Sequence, residues 1–299
     1  VVDVETCWLQ DEPTNEIRKE IKNWAIGRGL SFYDIQRHEG FLRNVQLRIC
    51  RTGEIMVNVV FGYSDEAQQT ALLQHLKDKF PVITTLVFTI NSKWNDSLNG
   101  LQPLTFYGKG FVVEKLEHFS FKIGPKSFFQ TNTAQAERLY QTVRSFAALT
   151  GTETVYDLYC GTGSIGIFLS DRAQKVIGIE LIPEAIADAK ENALLNHIYH
   201  AAFFTGDVTE ICDNAFFETH GRPDLIVSDP PRAGMSDKLV AKLLEIAAEK
   251  IIYVSCNPAT QARDLNLLSE KYQISAVQPV DMFPHTLHIE NVTALFLKH

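Results

Sequence analysis

The sequence predicts an α/β protein whose larger part is a mostly parallel, doubly wound sheet, preceded by a smaller α/β domain. Strand and helix patterns alternate regularly from residue 153 onward, which is typical of a parallel sheet covered by helices. A glycine-rich turn follows the first of these strands, as in sheets that bind nucleotides. With 299 residues the chain is long enough for two domains, which we assign to 1–124 and 125–299.

The smaller first domain is predicted from one helical stripe and a set of strand-like runs. Ile17 and Ile21 recur at helical spacing, so we expect a helix over 14–29 that is capped by Thr14 or Asn15. The other elements expected here are a hairpin over 44–50 and 55–61, a helix over 65–79, a strand over 82–90, a loop over 91–110 and strands over 111–116 and 119–123.

The second domain is predicted to begin with a helix over 133–149 and to continue as the alternating sheet. Its strands are expected at 153–159, 174–180, 200–205, 223–228, 250–255, 273–280 and 292–298. Its helices are expected at 164–171, 183–196, 236–248 and 259–269.

Composition indicates a reduced, cytoplasmic globular protein. Apolar residues make up 45% and charged residues 21%, and we find neither a membrane-spanning apolar run nor a secretory start. The five cysteines contain no C-x-x-C pair, which argues against a disulfide framework or a complete metal site. The chain lacks an initiator Met, so we expect an N-terminal truncation. The net charge of −8 weighs only weakly against nucleic acid, because a local basic face or a missing basic domain could accompany it.

Acidic residues and glycines mark a nucleotide-type site at the ends of the first strands. Gly161 and Gly163 allow a tight turn and close approach of a ligand, although the pattern alone could be a simple turn. About twenty residues on, Glu180 ends the next strand, where a carboxylate can accept hydrogen bonds from ribose hydroxyls or cap a helix. Asp207 closes the third strand, where it could accept from an adenine amino group or cap a helix.

Two further strands end in reactive or constrained residues. The fourth strand delivers Asp229 into Pro230-Pro231, and two prolines form a rigid loop that holds the acid at the rim of the sheet. The fifth, strongly apolar strand runs into Ser255-Cys256-Asn257-Pro258. Cys256 is therefore expected where a strand stops and ligands bind, as a nucleophile would be, or as an inert buried thiol.

These features resemble the S-adenosylmethionine methyltransferases with a Rossmann-like sheet, and four stretches narrow the resemblance to the RNA uracil-C5 (m5U) methyltransferase family. The four stretches are Ser127-Phe128-Phe129-Gln130-Thr131-Asn132, Asp229-Pro230-Pro231-Arg232, Ser255-Cys256-Asn257-Pro258, and Asp281-Met282-Phe283-Pro284-His285-Thr286 followed by His288 and Glu290. The resemblance covers essentially the whole chain. It implies a sheet that ends in an antiparallel strand, which fits 292–298.

The resemblance also implies roles for individual residues. Cys256 takes the place of the family's nucleophile and Glu290 that of its base, while Asp229 is a candidate to orient or protonate the pyrimidine edge. A lowered pKa of the thiol or a local base is expected, because an unperturbed thiol is mostly protonated at neutral pH. The cofactor contacts of the family carry over to Gln130, Tyr159, Glu180 and Asp229, with Asp207, Gly161 and Gly163 beside them.

Other residues near these motifs are expected to be structural. Of Phe128, Phe129 and Phe283, which could stack on a base, at least two should belong to the core. The histidines His285 and His288 are also expected to be structural. In the first domain His38 and Arg43 could face the substrate, although a solvated loop is the simpler expectation.

The resemblance fixes the expected partners. We expect a cytoplasmic monomer that uses S-adenosylmethionine, binds no metal and no membrane, and acts on RNA, with 23S ribosomal RNA favoured over transfer RNA. Some family members hold an iron–sulfur cluster with four cysteines; Cys7 stands at the place of the last of them, and its three partners are absent from this sequence. Many members also carry a basic N-terminal barrel that is not seen here.

Two competing functions are considered. An amino-group methyltransferase also uses Asp-Pro-Pro but needs no cysteine nucleophile, so Cys256→Ala would leave it active. A non-catalytic RNA-binding or folding factor would bind RNA without transferring a methyl group. Neither alternative requires both Cys256 and Glu290, so the sequence favours the uracil-C5 chemistry.

Overall fold

The computed structural model of the protein describes residues 3–299, which divide into two compact units. The first unit comprises the chain up to Lys115 together with Lys122–Ser127, and the second comprises Leu116–Phe121 and Phe128–His299. The chain thus passes between the units within the hairpin of β5 (Val112–Leu116) and β6 (Phe119–Ile123). The boundary placed at 124 on sequence grounds lies at the end of this stretch.

The first unit is a four-stranded sheet with two helices. Its elements are α1 (Thr14–Gly27), β1 (Leu42–Ile49), β2 (Ile55–Phe61), α2 (Glu66–Lys79), β3 (Thr85–Ile90) and β4 (Leu104–Tyr107), and the strand order is β1-β2-β3-β4. Strands β2 and β3 are parallel, and the other two pairings are antiparallel. The predicted stripe of α1 is confirmed, since Ile17, Ile21 and Ala25 are buried.

The capping prediction for α1 is wrong. Pro13 occupies the position before the helix, and no side chain caps it. Thr14 Oγ1 donates to the carbonyl of Asp11 at 2.6 Å, and Asn15 Oδ1 accepts from the N–H of Cys7 at 2.9 Å. Both side chains therefore fix the segment that precedes the helix, because from inside the first turn they point back along the chain.

The predicted loop over 91–110 contains a strand that the sequence did not reveal. Strand β4 is a four-residue edge strand and is mostly exposed, so it lacks the alternating apolar pattern that marks a half-buried strand. It forms because β3 offers it an antiparallel partner, with Leu86 opposite Tyr107 and Phe88 opposite Leu104.

The second unit is a seven-stranded sheet. Its elements are α3 (Thr133–Ala147), β7 (Thr154–Leu158), α4 (Ser164–Leu169), β8 (Lys175–Glu180), α5 (Pro183–Leu195), β9 (Ala201–Thr205), α6 (Val208–Ile211), α7 (Asn214–His220), β10 (Leu225–Ser228), α8 (Asp237–Ile246), β11 (Lys250–Ser255), α9 (Pro258–Leu268), β12 (Tyr272–Val280) and β13 (Glu290–Leu297). The order is β12-β13-β11-β10-β7-β8-β9. Only β13 runs against its neighbours, so the predicted sheet with an antiparallel last strand is confirmed.

All strands predicted for the second unit are present, because most of them are apolar runs buried on both faces of the sheet. Ile177, Ile226 and Ile251, one on each of three strands, are fully buried. The short helices α6 and α7 were not predicted. Each is capped by an aspartate, Asp207 or Asp213, whose side chain accepts from a backbone N–H of the first turn.

Three general features of the described part of the chain bear on function. None of the helices within residues 3–299 has the length and apolarity needed to cross a membrane. Within the same residues we find no group of three or more His, Cys, Asp or Glu side chains placed to hold a metal ion. All five cysteines are free thiols.

Candidate active site

Several candidate residues lie together at the carboxyl edge of the second-unit sheet. Leu158 on β7 is opposite Ile179 on β8 and Ser228 on β10. The next residues of these three strands are Tyr159, Glu180 and Asp229. Because parallel strands end at the same edge, these three residues form one row there, in the crevice where open α/β sheets bind ligands.

The antiparallel strand β13 brings Glu290 to the same edge as Cys256. Strands β11 and β13 are paired from Lys250 opposite Phe296 to Ser255 opposite Asn291. One further step places Cys256 opposite Glu290. An antiparallel strand presents its first residue where its neighbours present their last, so two residues 34 positions apart in the sequence become neighbours.

The loop that carries Cys256 is fixed to the loop that carries Asp229. Asn257 Nδ2 donates to the carbonyl of Arg232 at 3.2 Å, and the hydroxyl of Thr260 donates to the same carbonyl at 3.3 Å. Pro258 starts helix α9, and the side chain of Asn257 caps this helix by accepting from a backbone N–H. Two strand ends therefore share one rigid connection.

A buried amide joins the two strands directly behind the candidate nucleophile. Gln261 is 1% exposed, and its Nε2 donates to the carbonyl of Tyr253 on β11 at 2.9 Å and to that of Asn291 on β13 at 3.2 Å. Asn291 Nδ2 returns a 2.6 Å hydrogen bond to Gln261 Oε1. Sequence inspection missed Gln261; its only signal is its place four residues after Asn257, on the inner face of a capped helix.

The thiol of Cys256 is exposed and is not activated in the protein alone. Its pKa is raised, first by partial burial and then by the charges of Glu290 and Asp229, while Arg232 acts in the opposite direction. The predicted lowering of this pKa is therefore wrong for the free protein. The other expectation, a base nearby, is consistent with the two carboxylates that act on the thiol.

The carboxylates of the site also have raised pKa values. Burial and the charge of Asp229 raise the pKa of Glu290 to about 8, and burial raises that of Asp229 to about 7. Glu290 Oε2 is buried and has no hydrogen-bond partner among residues 3–299. These two groups hold protons near neutral pH, so the site is set for proton transfer.

The glycine-rich turn has the predicted geometry. Gly161 and Gly163 have φ values of 52° and 78°, the left-handed region that favours glycine. A Cβ on Gly163 would lie 3.0 Å from the ring of Phe203 and 3.1 Å from Ala189, so packing also requires glycine there. The N–H of Gly161 donates to Glu180 Oε2 at 3.3 Å, which links the turn to the acid at the end of β8.

Asp157, the first residue of the Asp-x-x-Cys-Gly-x-Gly motif, is a candidate site residue to which sequence analysis gave no role. It is 1% exposed, and burial together with the charges of Asp229 and Glu180 raises its pKa to about 7. Asp157 Oδ2 accepts from the N–H of Gly166 at 2.8 Å, whereas its buried Oδ1 has no partner among the described residues. In the sequence, this residue could have been noticed as an acid in an apolar strand that leads into a glycine turn.

A cleft opens beside Glu180 and Asp207. Its lining includes Tyr159, Glu180, Asp207 and Ser236. Asp207 caps α6, since its Oδ1 accepts from the N–H and the hydroxyl of Thr209 at 2.7 Å each, and these bonds lower its pKa. The capping interpretation is thus confirmed, and the cleft position leaves the ligand interpretation open.

The segment of Gln130 lies beside the loop that leads to Glu290. Asn132 Nδ2 donates to the carbonyl of Met282 at 2.8 Å, and Gln130 is half-buried. The prediction for the three aromatic residues is wrong: Phe129 is buried, but Phe128 is 74% exposed and Phe283 is half-buried.

The two histidines of the loop before Glu290 are exposed. The structure therefore gives no support to the expectation that His285 and His288 are structural. His285 has a φ of 67°, a left-handed conformation that is uncommon outside glycine.

In the first unit the expectation of a solvated loop fails for Arg43. Its side chain is 2% exposed, and its guanidinium donates to the carbonyls of Asn91, Lys93 and Asn95. His38 is half-buried. Both residues belong to an ordered structure within this unit.

Comparison with known proteins identifies the family. The profile of the tRNA (Uracil-5-)-methyltransferase family matches residues 106–299. A Bacteroides thetaiotaomicron protein named an uncharacterized RNA methyltransferase is 50% identical over 301 residues, and a Porphyromonas gingivalis protein of the same name is 47% identical over 299 residues. These alignments cover 100% and 99% of this chain but 66% and 64% of the relatives, so the chain spans about two thirds of their length.

Solved structures agree with the profile. The Pyrococcus abyssi tRNA (uracil-54, C5)-methyltransferase in complex with S-adenosyl-L-homocysteine matches with a TM-score of 0.81 and 32% identity, over 99% of this chain and 70% of that chain. The M. jannaschii tRNA m1G37 methyltransferase shares the fold alone at 14% identity and a TM-score of 0.56, over 89% of this chain and 78% of that one.

The fold and the row of residues at its edge define a methyltransferase of the Rossmann-like, S-adenosylmethionine-dependent class. Within that class, the chain belongs to the tRNA (uracil-5-)-methyltransferase family. The resemblance stated from the sequence motifs is thereby confirmed at the level of the family.

Proposed function

We propose that this chain carries the catalytic part of an S-adenosylmethionine-dependent enzyme that methylates uridine at C5 in RNA. The observation that carries the proposal is the register of β11 and β13, which sets Cys256 opposite Glu290 at the ligand-binding edge of the sheet. We propose 23S ribosomal RNA as the substrate. Transfer RNA is the second candidate, because the P. abyssi structure is that of a tRNA (uracil-54, C5)-methyltransferase.

The chemistry accounts for the need for a thiol. Uracil C5 is a poor nucleophile, and addition of the Cys256 thiolate to C6 turns the ring into an enolate whose C5 is nucleophilic. C5 would then take the methyl group from the sulfonium of S-adenosylmethionine, whose methyl–sulfur bond breaks to leave the thioether S-adenosylhomocysteine, and C6 remains bonded to Sγ. The target base must leave its stack to reach an exposed thiol at a sheet edge, at a cost of a few kcal/mol.

Glu290 completes the reaction by removing the hydrogen that C5 still carries. Its carboxylate takes this proton, the electron pair re-forms the C5–C6 double bond, and the C6–Sγ bond breaks to release Cys256. The raised pKa of about 8 makes Glu290 a stronger base than an ordinary carboxylate once it is ionised. The charge of Asp229 acts on both Cys256 and Glu290. We propose that Asp229 orients or protonates the pyrimidine edge.

The residues present fit S-adenosylmethionine. The Oδ1 of Asp157 is a buried acceptor without a partner among the described residues. Burial and the charges of Asp229 and Glu180 raise the pKa of Asp157, and a cationic ligand would relieve this repulsion. When bound, this cofactor supplies an electrophilic methyl group on a sulfonium. Gln130, Tyr159, Glu180 and Asp229 are proposed to hold it, with Asp207 and the backbone at Gly161 and Gly163 lining the cleft or turn beside it.

The residues present do not fit an iron–sulfur cluster. Cys7 is half-buried, and the described residues contain no group of three or more metal-binding side chains around it. A cluster needs four thiolates, so no step of the reaction is assigned to one. For the whole protein we propose a monomer in the cytoplasm, where free thiols such as these stay reduced.

The experiment that tests the proposal uses the complete protein with S-adenosylmethionine and ribosomal RNA in which uridine is replaced by 5-fluorouridine. Fluorine at C5 cannot leave as a proton, so the methylated base should remain bound to Sγ as a denaturant-resistant adduct. We expect this adduct with the native protein and none with Cys256→Ala. Mapping the trapped nucleotide would identify the substrate uridine.

Cys7→Ala is the matched control, because it removes a cysteine outside the candidate site. It should form the adduct like the native protein. Methyl transfer to RNA that persists in Cys256→Ala would overturn the thiolate mechanism and favour amino-group chemistry. Adduct formation with transfer RNA in place of ribosomal RNA would reassign the substrate but keep the mechanism.

A further inference from the structure

The first unit displays an indole ring that is held in place and open to solvent. Trp94 is 78% exposed, although the loop that carries it is ordered by hydrogen bonds. One face of the indole stacks on the imidazole of His38, with ring centroids 4.8 Å apart and planes 4° from parallel. Because His38 covers one face and the side chain is highly exposed, the other face of Trp94 is available to a planar ligand.

Further aromatic and cationic contacts lead from His38 into the protein. The ring of Tyr33 is tilted by 58° from the imidazole of His38, with centroids 6.4 Å apart, and its hydroxyl is 3.2 Å from His38 Nδ1. The guanidinium of Arg43 lies 4.0 Å from the centroid of the Tyr33 ring. Four planar groups therefore form one ladder, whose outer end is Trp94 and whose inner end is a buried arginine.

The inner end of the ladder also holds the loop of Trp94. Arg43 donates to the carbonyls of Asn91, Lys93 and Asn95 at 2.8, 2.5 and 2.7 Å, and pairs with Asp96 at 3.1 Å. These contacts surround Trp94 in the sequence on both sides. Because the loop is fixed at several points, little conformational entropy remains to be lost when a ligand stacks on the indole.

The loop of His38 is built with similar constraint. His38 has a φ of 56°, and its N–H donates to the carbonyl of Asp34 at 2.8 Å. Gly40 has a φ of 129°, and a Cβ there would lie 2.3 Å from the carbonyl oxygen of Phe32, so only glycine fits. A left-handed histidine and an obligatory glycine together set the imidazole parallel to the indole.

We propose that Trp94 is a stacking platform for an unpaired nucleobase of the RNA substrate. A nearly parallel aromatic pair with one open face matches the geometry in which proteins bind single-stranded bases. The inference rests on the proposed function, which makes RNA the macromolecule that this chain meets. It adds a contact in the first unit, separate from the candidate active site of the second.

The local charges favour RNA over an acidic protein surface or an apolar one. Two acidic side chains of these loops are engaged internally: Asp34 accepts from the N–H groups of Gln36 and Arg37, and Asp96 pairs with Arg43. Arg37 is exposed, and Lys93, which precedes the indole, donates through Nζ to the carbonyl of Asn99 at 2.8 Å. Glu39, beside His38, is an exposed carboxylate. Phosphates on either side of a stacked base would therefore meet two cations and one free carboxylate.

The test measures binding of the complete protein to a fluorescein-labelled single-stranded oligoadenylate by fluorescence anisotropy. Base–aromatic stacking of this kind predicts that Trp94→Ala weakens binding about 5- to 100-fold. Trp94→Phe should recover most of the affinity, because it keeps a flat ring. The dependence of log Kd on log salt concentration should stay the same in both variants, because no phosphate contact is lost.

Trp8→Ala is the matched control, since Trp8 is 91% exposed and forms no ring stack with the described residues. It should bind oligoadenylate like the native protein. Equal affinity of Trp94→Ala and native protein would overturn the proposal and leave this surface to a protein partner. An equal loss in Trp8→Ala would also overturn it, because the effect would then be a general one of exposed indoles.

A second measurement does not depend on deleting the indole. The 299 residues contain three tryptophans, so Trp8→Phe and Trp24→Phe leave Trp94 as their single indole. Any tryptophan of the complete protein outside these residues is replaced by Phe in the same variant. Stacking of adenine should quench its fluorescence as oligoadenylate is added, and unchanged emission at saturation would refute the platform. Failure of the proposed function is distinguishable, because it appears as absence of 5-methyluridine whether or not Trp94 is quenched.

Discussion

At the scale of the residue, Cys256 combines an exposed position with a raised pKa. Burial and the nearby carboxylates Glu290 and Asp229 disfavour the thiolate in the free protein. Binding of a cation beside these carboxylates, or of a base that shields them, would favour the thiolate, so activation is expected to depend on the assembled complex.

Glu290→Gln should separate the two halves of the reaction. The amide cannot take the proton from C5, so addition and methyl transfer proceed while release of Cys256 fails. We expect turnover to fall about 10²- to 10⁴-fold and a denaturant-resistant protein–RNA adduct to accumulate on ordinary, unfluorinated RNA. Electrophoresis in denaturant with labelled RNA would measure the adduct.

Glu270→Gln is the control for this experiment, because it neutralises an exposed carboxylate of the same unit. It should turn over normally and accumulate nothing. Normal turnover of Glu290→Gln would show that another group removes the proton, and loss of both adduct and product would place Glu290 in an earlier step.

At the scale of the element, β13 assembles the site. Because it is inserted between β11 and β12 and runs against both, its first residue meets the last residues of the parallel strands. Gln261 on α9 holds β11 and β13 in register through hydrogen bonds to Tyr253 and Asn291. The relative placement of thiol and base thus depends on one buried amide.

Gln261→Leu should impair catalysis through position. The change leaves two carbonyls and the Asn291 amide without this partner, which we expect to lower the free energy of unfolding by about 1–3 kcal/mol. The rate of adduct formation with 5-fluorouridine RNA should fall about 10- to 100-fold at saturating RNA, because the reacting groups are misplaced. Single-turnover kinetics would measure this rate, and urea unfolding the stability.

The same change on the exposed side of the helix, Asn266→Leu, provides the control. It should leave both quantities near the native values. An unchanged rate of adduct formation in Gln261→Leu, despite a loss of stability, would show that the amide supports only the fold.

At the scale of the whole molecule, the buried acids at the sheet edge lower the free energy of unfolding at neutral pH, although they are proposed to serve function. Burial raises the pKa of Asp229 to about 7, and Asp157 is raised to about 7 by burial and by its neighbours. In the unfolded chain an aspartate titrates near ~3.9. Between these values the folded state binds protons that the unfolded state does not, so these groups make the free energy of unfolding fall as pH rises from about 4 to about 7.

Asp229→Asn should therefore stabilise the protein, and more so at higher pH. Removing the buried charge should raise the free energy of unfolding by up to about 4 kcal/mol at pH 8. The difference should be small near pH 4, where the native carboxyl is neutral in the folded state and only about half ionised in the unfolded state. Urea unfolding at the two pH values would measure the change. Methyl transfer should be lost or strongly reduced in the same variant.

Glu270→Gln serves again as the reference, because this carboxylate is exposed. Its stability should follow that of the native protein at both pH values. A gain in Asp229→Asn that is equal at pH 4 and pH 8 would mean that packing, and not the buried charge, is responsible.

The amino-acid sequence by itself determined the fold class, the strands of the second unit and the family. Most strands of the second unit are apolar runs long enough to be buried on both faces, and each of these runs leads into a charged residue, a glycine or a residue before proline. These patterns are local, so they can be recognised without the tertiary structure. Cys256 and Asp229 were singled out by their neighbours along the chain, and the resemblance to the family added Glu290.

Only the tertiary structure decided which distant residues meet and what their environment does to them. The pairing of Cys256 with Glu290 depends on strand insertion, the role of Gln261 on two carbonyls from different strands, and the ladder below Trp94 on two loops that converge. Strand β4 was hidden because an exposed edge strand takes its conformation from its partner. The direction of the thiol's pKa shift also required the structure, because desolvation and charge act through space and carry no signature in the local sequence.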